Sequence, residues 1–258
     1  MKIIVLVKEV PDTYGDRKLN LETGLADRAA SDVVLDEIGE RALELALKYA
    51  DANDGADVAV LTLAPEGATA TIRKGLAMGA DRAVHVCDEA LLGADLGLTA
   101  EALAAAIRRQ GFDLVVTGNV STDGSGGMIP AMLAELLDVP HATGLSSVEI
   151  GDGVVSGTRP VESGVQQVSA DLPAVISVTE ALPEGRFPNF KGIMAAKKKP
   201  FEVLTLADLG VAADNPEMAR SIMLTVAEKP PRASGVKILD EGDAGDKLAD
   251  FLVANRLA

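Results

Sequence analysis

The sequence predicts an α/β fold with a Rossmann-like parallel sheet, an added antiparallel hairpin and a C-terminal extension. Short apolar runs alternate with longer helical patterns in the first two-thirds of the chain, which is typical of βαβ units. An Asp-Gly pair between two extended runs after Pro140 indicates the hairpin. The 258 residues, 48% of them apolar, are enough for one large core.

Four strands of the parallel sheet are predicted in the first half of the chain. Each is a nearly continuous apolar run, as expected for strands that are covered on both faces. These strands are residues 2–8, 57–63, 82–87 and 113–117.

Helical patterns lie between and after these strands. Apolar residues recur from Ile38 to Tyr49 at steps of four, three and four, which predicts one buried stripe on the first helix. Thr99 is the predicted N-cap of the third helix, and Gly79 and Gly111 stand where helix C-caps need a positive φ. The predicted helices are residues 36–50, 69–78, 99–110 and a segment that ends at Leu137.

The pattern changes in the last third of the chain. Runs at 146–150 and 154–157 flank the Gly-Asp-Gly turn, and 172–178 reads as another buried strand. Residues 183–200 have no usable period and contain several prolines and glycines, so we expect a long ordered loop. Beyond it the sequence predicts only a short helix at 206–209, an extended run at 222–226 and a terminal helix at 244–255.

These patterns divide the chain into three parts. We expect an α/β domain at 1–182, the loop at 183–200 and a C-terminal arm at 201–258. The arm has too few apolar residues for its own core, so it is stable only against something larger. That surface is either the chain's own domain or a partner subunit.

Charge and composition argue against several classes of function. Acidic residues outnumber basic ones by 39 to 24, so the surface repels nucleic acid and anionic lipid. No apolar run is long enough to cross a membrane and no secretory signal is present, which predicts a cytoplasmic protein without direct membrane insertion. The basic run at 197–199 reads as a solvated stretch or a source of salt bridges.

The inventory of catalytic side chains is small. Cys87, the single cysteine, is expected to be a buried thiol without a redox role. His85 and His141 have no acid or cysteine at metal-ligand spacing, so we predict no metal site. No local motif pairs a nucleophile with a base, and no catalytic residue is predicted.

The most informative segment is a glycine-rich loop between the strand ending at Thr117 and the following helix. A strand, a glycine loop and a helix together favour phosphate binding, because backbone N–H groups and the helix N-terminus attract an anion. Asp123 would repel a phosphate, so it is assigned to a ribose hydroxyl or to capping the helix. The loop matches neither the dinucleotide fingerprint nor the P-loop, and a purely structural turn remains an alternative.

Five separated blocks of sequence resemble electron transfer flavoprotein β subunits, with the glycine loop in the form of actinobacterial members. The resemblance covers nearly the whole chain and preserves the order of the blocks. The blocks are Val7 to Thr13, Ala77 to Ala83, Leu172 to Val175, Arg186 to Lys199, and Pro230 to Arg232 with Gly235 to Lys237.

The resemblance implies a heterodimer with an α subunit that holds most of the FAD, while this chain binds AMP as a structural nucleotide. It places Thr13 toward the flavin. Many relatives have Asn at the position of Asp36 and Gln at that of Met128. The AMP contacts implied are Leu6, Asp36, Glu37, Ile38, Gly39, Leu63, Gly118, Asn119, Val120, Ser121, Thr122, Asp123, Gly124, Ser125, Gly126, Gly127, Met128 and Ile129.

The resemblance also implies that the complex carries electrons. It accepts them from acyl-CoA-type dehydrogenases of fatty acid oxidation and passes them to a membrane quinone oxidoreductase. The dehydrogenase would dock on 186–196, with Arg186, Phe190, Ile193 and Met194 in contact and Phe190 at the family's leucine anchor. Pro160 stands where relatives often carry an acid that pairs with the α subunit, so that salt bridge is expected to be missing.

Two further interpretations remain open. In a bifurcating type of the same family, this subunit binds a second FAD in place of AMP. A stand-alone ATP-binding stress-type protein would share the α/β nucleotide fold, but it needs no arm after Pro200.

Overall fold

The computed structural model describes residues 1–15, 17–232, 234–235 and 237–257. Val236, in the last of the five sequence blocks, therefore lies outside the described residues. The chain forms two compact units, Met1–Leu224 and Thr225–Ala258. The second unit contains one helix, Ala244–Ala254, with no buried residue among those described.

A seven-stranded parallel sheet organises the first unit, in the order β12-β5-β4-β1-β6-β11-β7. Strands β8, β9 and β10 form a separate antiparallel sheet, and β2 pairs with β3. The strands are β1 (Lys2–Leu6), β2 (Glu9–Pro11), β3 (Val33–Leu35), β4 (Asp57–Leu63), β5 (Arg82–Val86), β6 (Leu114–Gly118), β7 (His141–Leu145), β8 (Ser147–Ile150), β9 (Val154–Val161), β10 (Gly164–Asp171), β11 (Ala174–Val178) and β12 (Phe201–Leu204).

Helices cover both faces of the large sheet. Along β1, Ile3 and Val5 join the core under α1 and α2, whereas Ile4 joins the core under α3 and α4. The alternation follows from the two-residue period of a strand, and it buries both faces as the continuous apolar runs predict. The helices are α1 (Glu37–Ala52), α2 (Thr69–Met78), α3 (Leu96–Gln110), α4 (Ile129–Leu137), α5 (Phe190–Ala196), α6 (Leu206–Leu209) and α7 (Ala244–Ala254).

The predicted fold class is confirmed, and the elements with strong periodicity lie where expected. Strand β4 and helix α2 have the predicted bounds. The Thr99 N-cap is wrong, because α3 begins at Leu96 and Asp95 caps it by accepting the Leu98 N–H at 2.8 Å. Leu96 and Gly97 continue the helix before the apolar stripe becomes visible in the sequence.

Several elements after Pro140 were missed, and one expected extended run was not found. Residues 183–200 contain α5, whose Asn189 side chain accepts the Gly192 N–H at 2.8 Å and so begins the helix. Strand β12 follows directly and pairs in parallel with β5, so the first residues after Pro200 belong to the large sheet. The extended run at 222–226 is not a strand. The hairpin has a third strand, β10, and β7 closes one edge of the large sheet.

His85 and Cys87 lie in and directly after strand β5. His85 is buried in β5, and its Nε2 lies 2.8 Å from the Ala64 carbonyl oxygen, as expected of a core histidine. Cys87 is partly exposed rather than buried, because it follows the last residue of β5. Burial together with Glu66 and Asp88 raises the pKa of its thiol. Within the described residues, no group of three potential ligands is placed to hold a metal ion.

The helices of the described ranges are each too short or too polar to cross a membrane.

Lys199 ties the chain between α5 and β12 to the end of α2. Its ammonium group donates hydrogen bonds to the carbonyl oxygens of Leu76, Gly79 and Ala80 at 3.2, 3.0 and 2.6 Å. Burial lowers the pKa of this ammonium group. Carbonyls at a helix C-terminus lack helical partners, so a cation there supplies hydrogen bonds that the backbone cannot. The prediction of a salt-bridge donor or solvated lysine is therefore wrong for Lys199.

We expect Lys199→Met to lower the free energy of unfolding by about 2 kcal/mol, because it leaves three carbonyl groups without their donor. In a chain of this size that corresponds to a fall in Tm of roughly 4–8 °C. Lys197→Met is the matched control, since the Lys197 side chain is exposed. Thermal unfolding of the two variants and the wild type measures the effect, and equal Tm values for the two variants would contradict this role.

Candidate functional site

A cavity of about 850 Å³ lies at the carboxyl ends of β1, β4 and β6. Strand β1 lies between β4 and β6. The chain leaves β1 toward α1 on one face of the sheet and leaves β6 toward α4 on the other face. Open α/β sheets bind ligands at such switch points. The volume lies within the range of roughly 300–1,000 Å³ that small-molecule sites occupy.

Most of the predicted nucleotide contacts line this cavity, whereas Glu37, Val120, Thr122, Asp123 and Ser125 do not. Glu37, Thr122 and Thr13 instead line a second cavity of about 350 Å³, which Asp36 also borders. The predicted residues that line the larger cavity are Leu6, Asp36, Ile38, Gly39, Leu63, Gly118, Asn119, Ser121, Gly124, Gly126, Gly127, Met128 and Ile129.

Sequence reasoning missed another part of the wall. Residues 94–97 approach from the start of α3, and Ala219 and Ser221 approach from the chain after α6. Lys8 lines the cavity from the end of the β1 run. An acidic residue just before a helical pattern could have indicated Asp95 as a helix cap near the site. No local pattern indicated residues 219–221.

The glycine loop passes close to α1. A Cβ atom at Gly118 would lie 2.6 Å from Cγ2 of Ile38, so only glycine allows this approach of β6 to the helix. Gly127 has a φ of 64°, which favours glycine where the loop turns into α4. The close contact at Gly118 and the turn at Gly127 therefore fix the two ends of the loop beside the cavity.

Asp123 is neutralised by basic side chains instead of capping α4. Its Oδ1 lies 2.7 Å from the Lys8 ammonium and its Oδ2 lies 3.6 Å from the Arg28 guanidinium. Burial opposes ionisation of Asp123, but the Lys8 hydrogen bond and charge outweigh it and lower the pKa. The helix-cap alternative is wrong, because α4 begins after Met128 without a side-chain cap.

Asp36, unlike Asp123, is a buried carboxylate without a basic partner in the described part of the chain. The residue is 1% exposed, and its Oδ2 accepts the Thr122 N–H at 2.9 Å. Its Oδ1 is buried without a hydrogen-bond partner in the described part of the chain. Burial raises the pKa of Asp36, and the Thr122 hydrogen bond offsets this only in part. The unpartnered oxygen is a buried acceptor of a residue that borders both cavities.

The segment from Arg186 to Ala196 is held against α1 by an internal ion pair. Arg186 Nε lies 2.8 Å from Glu44 Oε2, and Arg186 Nη2 lies 2.8 Å from Asp51 Oδ2. The Glu44 side chain is only 7% exposed, and its hydrogen bond raises the pKa of Arg186 further. Arg186 thus anchors the segment to its own chain.

Four apolar side chains of this region face outward. Phe187 and Phe190 are 92% and 79% exposed, and Ile193 and Met194 are about half exposed. We call Phe187, Phe190, Ile193 and Met194 the apolar patch. A group of exposed apolar side chains on an anchored segment is typical of a protein interaction site.

The sequence is similar to known proteins along its whole length. The family model described as electron transfer flavoprotein domain matches residues 23–209. Electron transfer flavoprotein subunit beta of Mycobacterium tuberculosis is 48% identical over 99% of this chain and 98% of its own. The Bacillus subtilis protein of the same name is 32% identical over 98% and 96%. The caffeyl-CoA reductase-Etf complex subunit CarD of Acetobacterium woodii is 31% identical over 98% and 97%.

We expect Asp36→Asn to raise the free energy of unfolding of the ligand-free chain at pH 7 by about 1 kcal/mol, because a neutral amide replaces a buried carboxylate with one unpaired oxygen. The pKa of Asp36 is higher in the folded chain, so the wild type loses stability as pH rises through that raised pKa. The variant lacks this contribution.

Urea unfolding at about pH 4, close to the ordinary pKa of the carboxyl group, and at pH 7 measures the difference. It should be larger at pH 7, where the buried carboxylate is more fully ionised. Asp152→Asn, in the exposed turn between β8 and β9, is the control and should show no such change. A variant less stable than the wild type at pH 7 would contradict the interpretation of Asp36.

Proposed function

The chain belongs to the electron transfer flavoprotein family as a β subunit, and from this premise we propose that it binds AMP in the larger cavity and helps to position FAD. Membership as a β subunit implies an α-subunit partner. In this proposal, the α subunit holds most of the FAD, and AMP is a structural ligand without a redox role. The protein supplies binding and orientation, while the flavin carries the electrons.

The observation that carries the nucleotide proposal is the pair of helix N-termini at the cavity wall. Helices α1 and α4 both begin there, and neither has a side-chain cap. N–H groups of a first helical turn have no helical partners, so they are free to bind a phosphate. Helix α3, in contrast, is capped by Asp95.

The charges around the glycine loop agree with an anionic ligand. The Lys8 ammonium, 42% exposed at its side chain, lines the cavity and pairs with Asp123. Because this pair removes the net repulsion of the Asp123 carboxylate, backbone donors of the loop remain available to a phosphate. The unpaired Asp36 Oδ1 is suited to a hydroxyl or amine donor of the nucleoside.

A second FAD in place of AMP remains the alternative within the family. The second cavity borders Asp36 and extends toward Thr13 and Phe187, so a ligand longer than AMP has adjoining space on that side. The comparisons argue against the stand-alone stress-type protein, because the relatives named as electron transfer flavoprotein subunits match the chain almost from end to end.

The apolar patch is the proposed docking site for acyl-CoA-type dehydrogenases. Aromatic side chains in an interface centre often dominate binding, and the family resemblance gives the anchor role to Phe190. The electrons would then pass to a membrane quinone oxidoreductase. In the same proposal, the complex is cytoplasmic, the segment 183–200 is the recognition loop and the part of the C-terminal arm after Leu224 packs on the α subunit.

We expect the complex co-purified with its α subunit to contain one FAD and one AMP per heterodimer. Denaturation followed by chromatographic analysis of the released nucleotides measures both. Asp36→Asn should keep the FAD content unchanged while altering the AMP content. Two FAD and no AMP would replace this proposal with the second-flavin alternative.

Phe190→Ala should reduce the rate of electron transfer from an acyl-CoA dehydrogenase to the complex by about thirtyfold at subsaturating concentrations, because an anchor residue contributes roughly 2 kcal/mol to docking. The flavin content and the Tm should stay unchanged, since the side chain is exposed. Flavin reduction in stopped flow measures the rate. Leu92→Ala, another exposed apolar side chain, is the control. An unchanged rate for Phe190→Ala would exclude the patch as the docking site.

A further inference from the structure

Part of the cavity wall comes from a segment far along the chain from the glycine loop. Ala219 and Ser221 line the cavity, while Arg220 between them is not a lining residue and pairs with Glu101. We call residues 219–221 the strap. Neither the sequence patterns nor the family resemblance assigned the strap to the site.

The strap is fastened to α3 by two sets of contacts. Arg220 Nη1 and Nη2 donate to Glu101 Oε1 and Oε2, each at 2.8 Å, in a bidentate pair. The Ser221 N–H donates to Asp95 Oδ2 at 2.7 Å, while the other oxygen of Asp95 caps α3. Bidentate arginine–carboxylate pairs combine charge with a fixed geometry, so they hold two segments in one orientation.

The Arg220–Glu101 pair is shielded from solvent. The side chains are 17% and 18% exposed, in contrast to the pair between Arg109 of α3 and Glu202 of β12, whose side chains are 49% and 42% exposed. Exposed pairs contribute little because water screens them, whereas shielded pairs are screened much less. The guanidinium also packs against the helix backbone, since a Cβ atom at Gly97 would lie 3.5 Å from Arg220 Nη1.

No helix or strand holds the strap in place. Helix α6 ends at Leu209, and the described chain from there to Asp243 contains no further helix or strand. Loops without ladder hydrogen bonds open locally at low free energy, so their position depends on the few side-chain contacts that they make. For the strap, those contacts are the Glu101 pair and the Asp95 hydrogen bond.

We propose that the Arg220–Glu101 pair is a clasp that holds the strap over the nucleotide cavity and sets the rate at which the nucleotide leaves. This inference rests on the nucleotide site proposed above. The ligand would be covered by α1, α3, α4, the glycine loop and the strap, and the strap is held by the Glu101 pair and the Asp95 hydrogen bond. Release then requires the strap to open, as in other sites that a loop covers. Arg220 is a positioning residue, since it acts through Ala219 and Ser221.

The test uses the heterodimer loaded with radiolabelled AMP and measures its release into excess unlabelled AMP by rapid filtration. Arg220→Met, which keeps an unbranched side chain and removes the charge, should release AMP about tenfold faster. Glu101→Gln should act in the same direction by a smaller factor. Arg109→Met removes an arginine of α3, the helix that contains Glu101, and should release AMP at the wild-type rate.

A purely structural role would change stability without a specific effect on release. The double variant Arg220→Glu with Glu101→Arg should therefore restore slow release, because it rebuilds the pair with reversed charges. Hydrogen exchange should become faster in a peptide that contains the strap in Arg220→Met, and Tm and FAD content should remain close to wild type.

The outcomes separate the two proposals. AMP bound by both proteins but released at equal rates from wild type and Arg220→Met would overturn the clasp and leave the nucleotide site intact. Faster strap exchange with unchanged release would also overturn the clasp, because the strap would then open without freeing the ligand. A wild-type heterodimer that holds no AMP would overturn the AMP site and the clasp together.

Discussion

The site depends on one constraint, the parallel pairing of the central strand β1 with β4 on one side and with β6 on the other. This register pairs Leu6 with Leu61 and Val5 with Val116, so three strands end at one edge of the sheet. The chain then crosses to α1 on one face and to α4 on the other. The crossing leaves a cavity between two helix N-termini, and every other feature of the site is arranged around it.

Charge is distributed unevenly around this cavity. Asp123 is paired with Lys8 and Arg28, which lowers its pKa, whereas Asp36 is buried with one unpaired oxygen and a raised pKa. In a chain with a net charge of −15, an anion needs local compensation to bind. The paired carboxylate, the lysine and the uncapped helices provide it, and Asp36 adds an acceptor at the start of α1.

The segment from Arg186 to Ala196 combines an anchored backbone with exposed apolar side chains. The Arg186 ion pair with Glu44 holds its start, the Lys199 contacts with the end of α2 hold the chain just after it, and the Asn189 cap begins α5 within it. Phe187 and Phe190 nevertheless remain exposed. An anchored segment loses less conformational entropy when it binds, so more of the contact free energy appears as affinity. The same principle underlies the proposed clasp at Arg220.

The sequence by itself determined the fold class, the four central strands, the main helices and the position of the glycine loop, because these follow from local periodicity and turn chemistry. The tertiary structure alone decided the partners of these elements. It placed β12 beside β5, turned Arg186 inward to Glu44 and brought Ser221 to Asp95 across 126 positions of the chain. Such contacts leave no local pattern, since they depend on which surfaces the packed helices bring together.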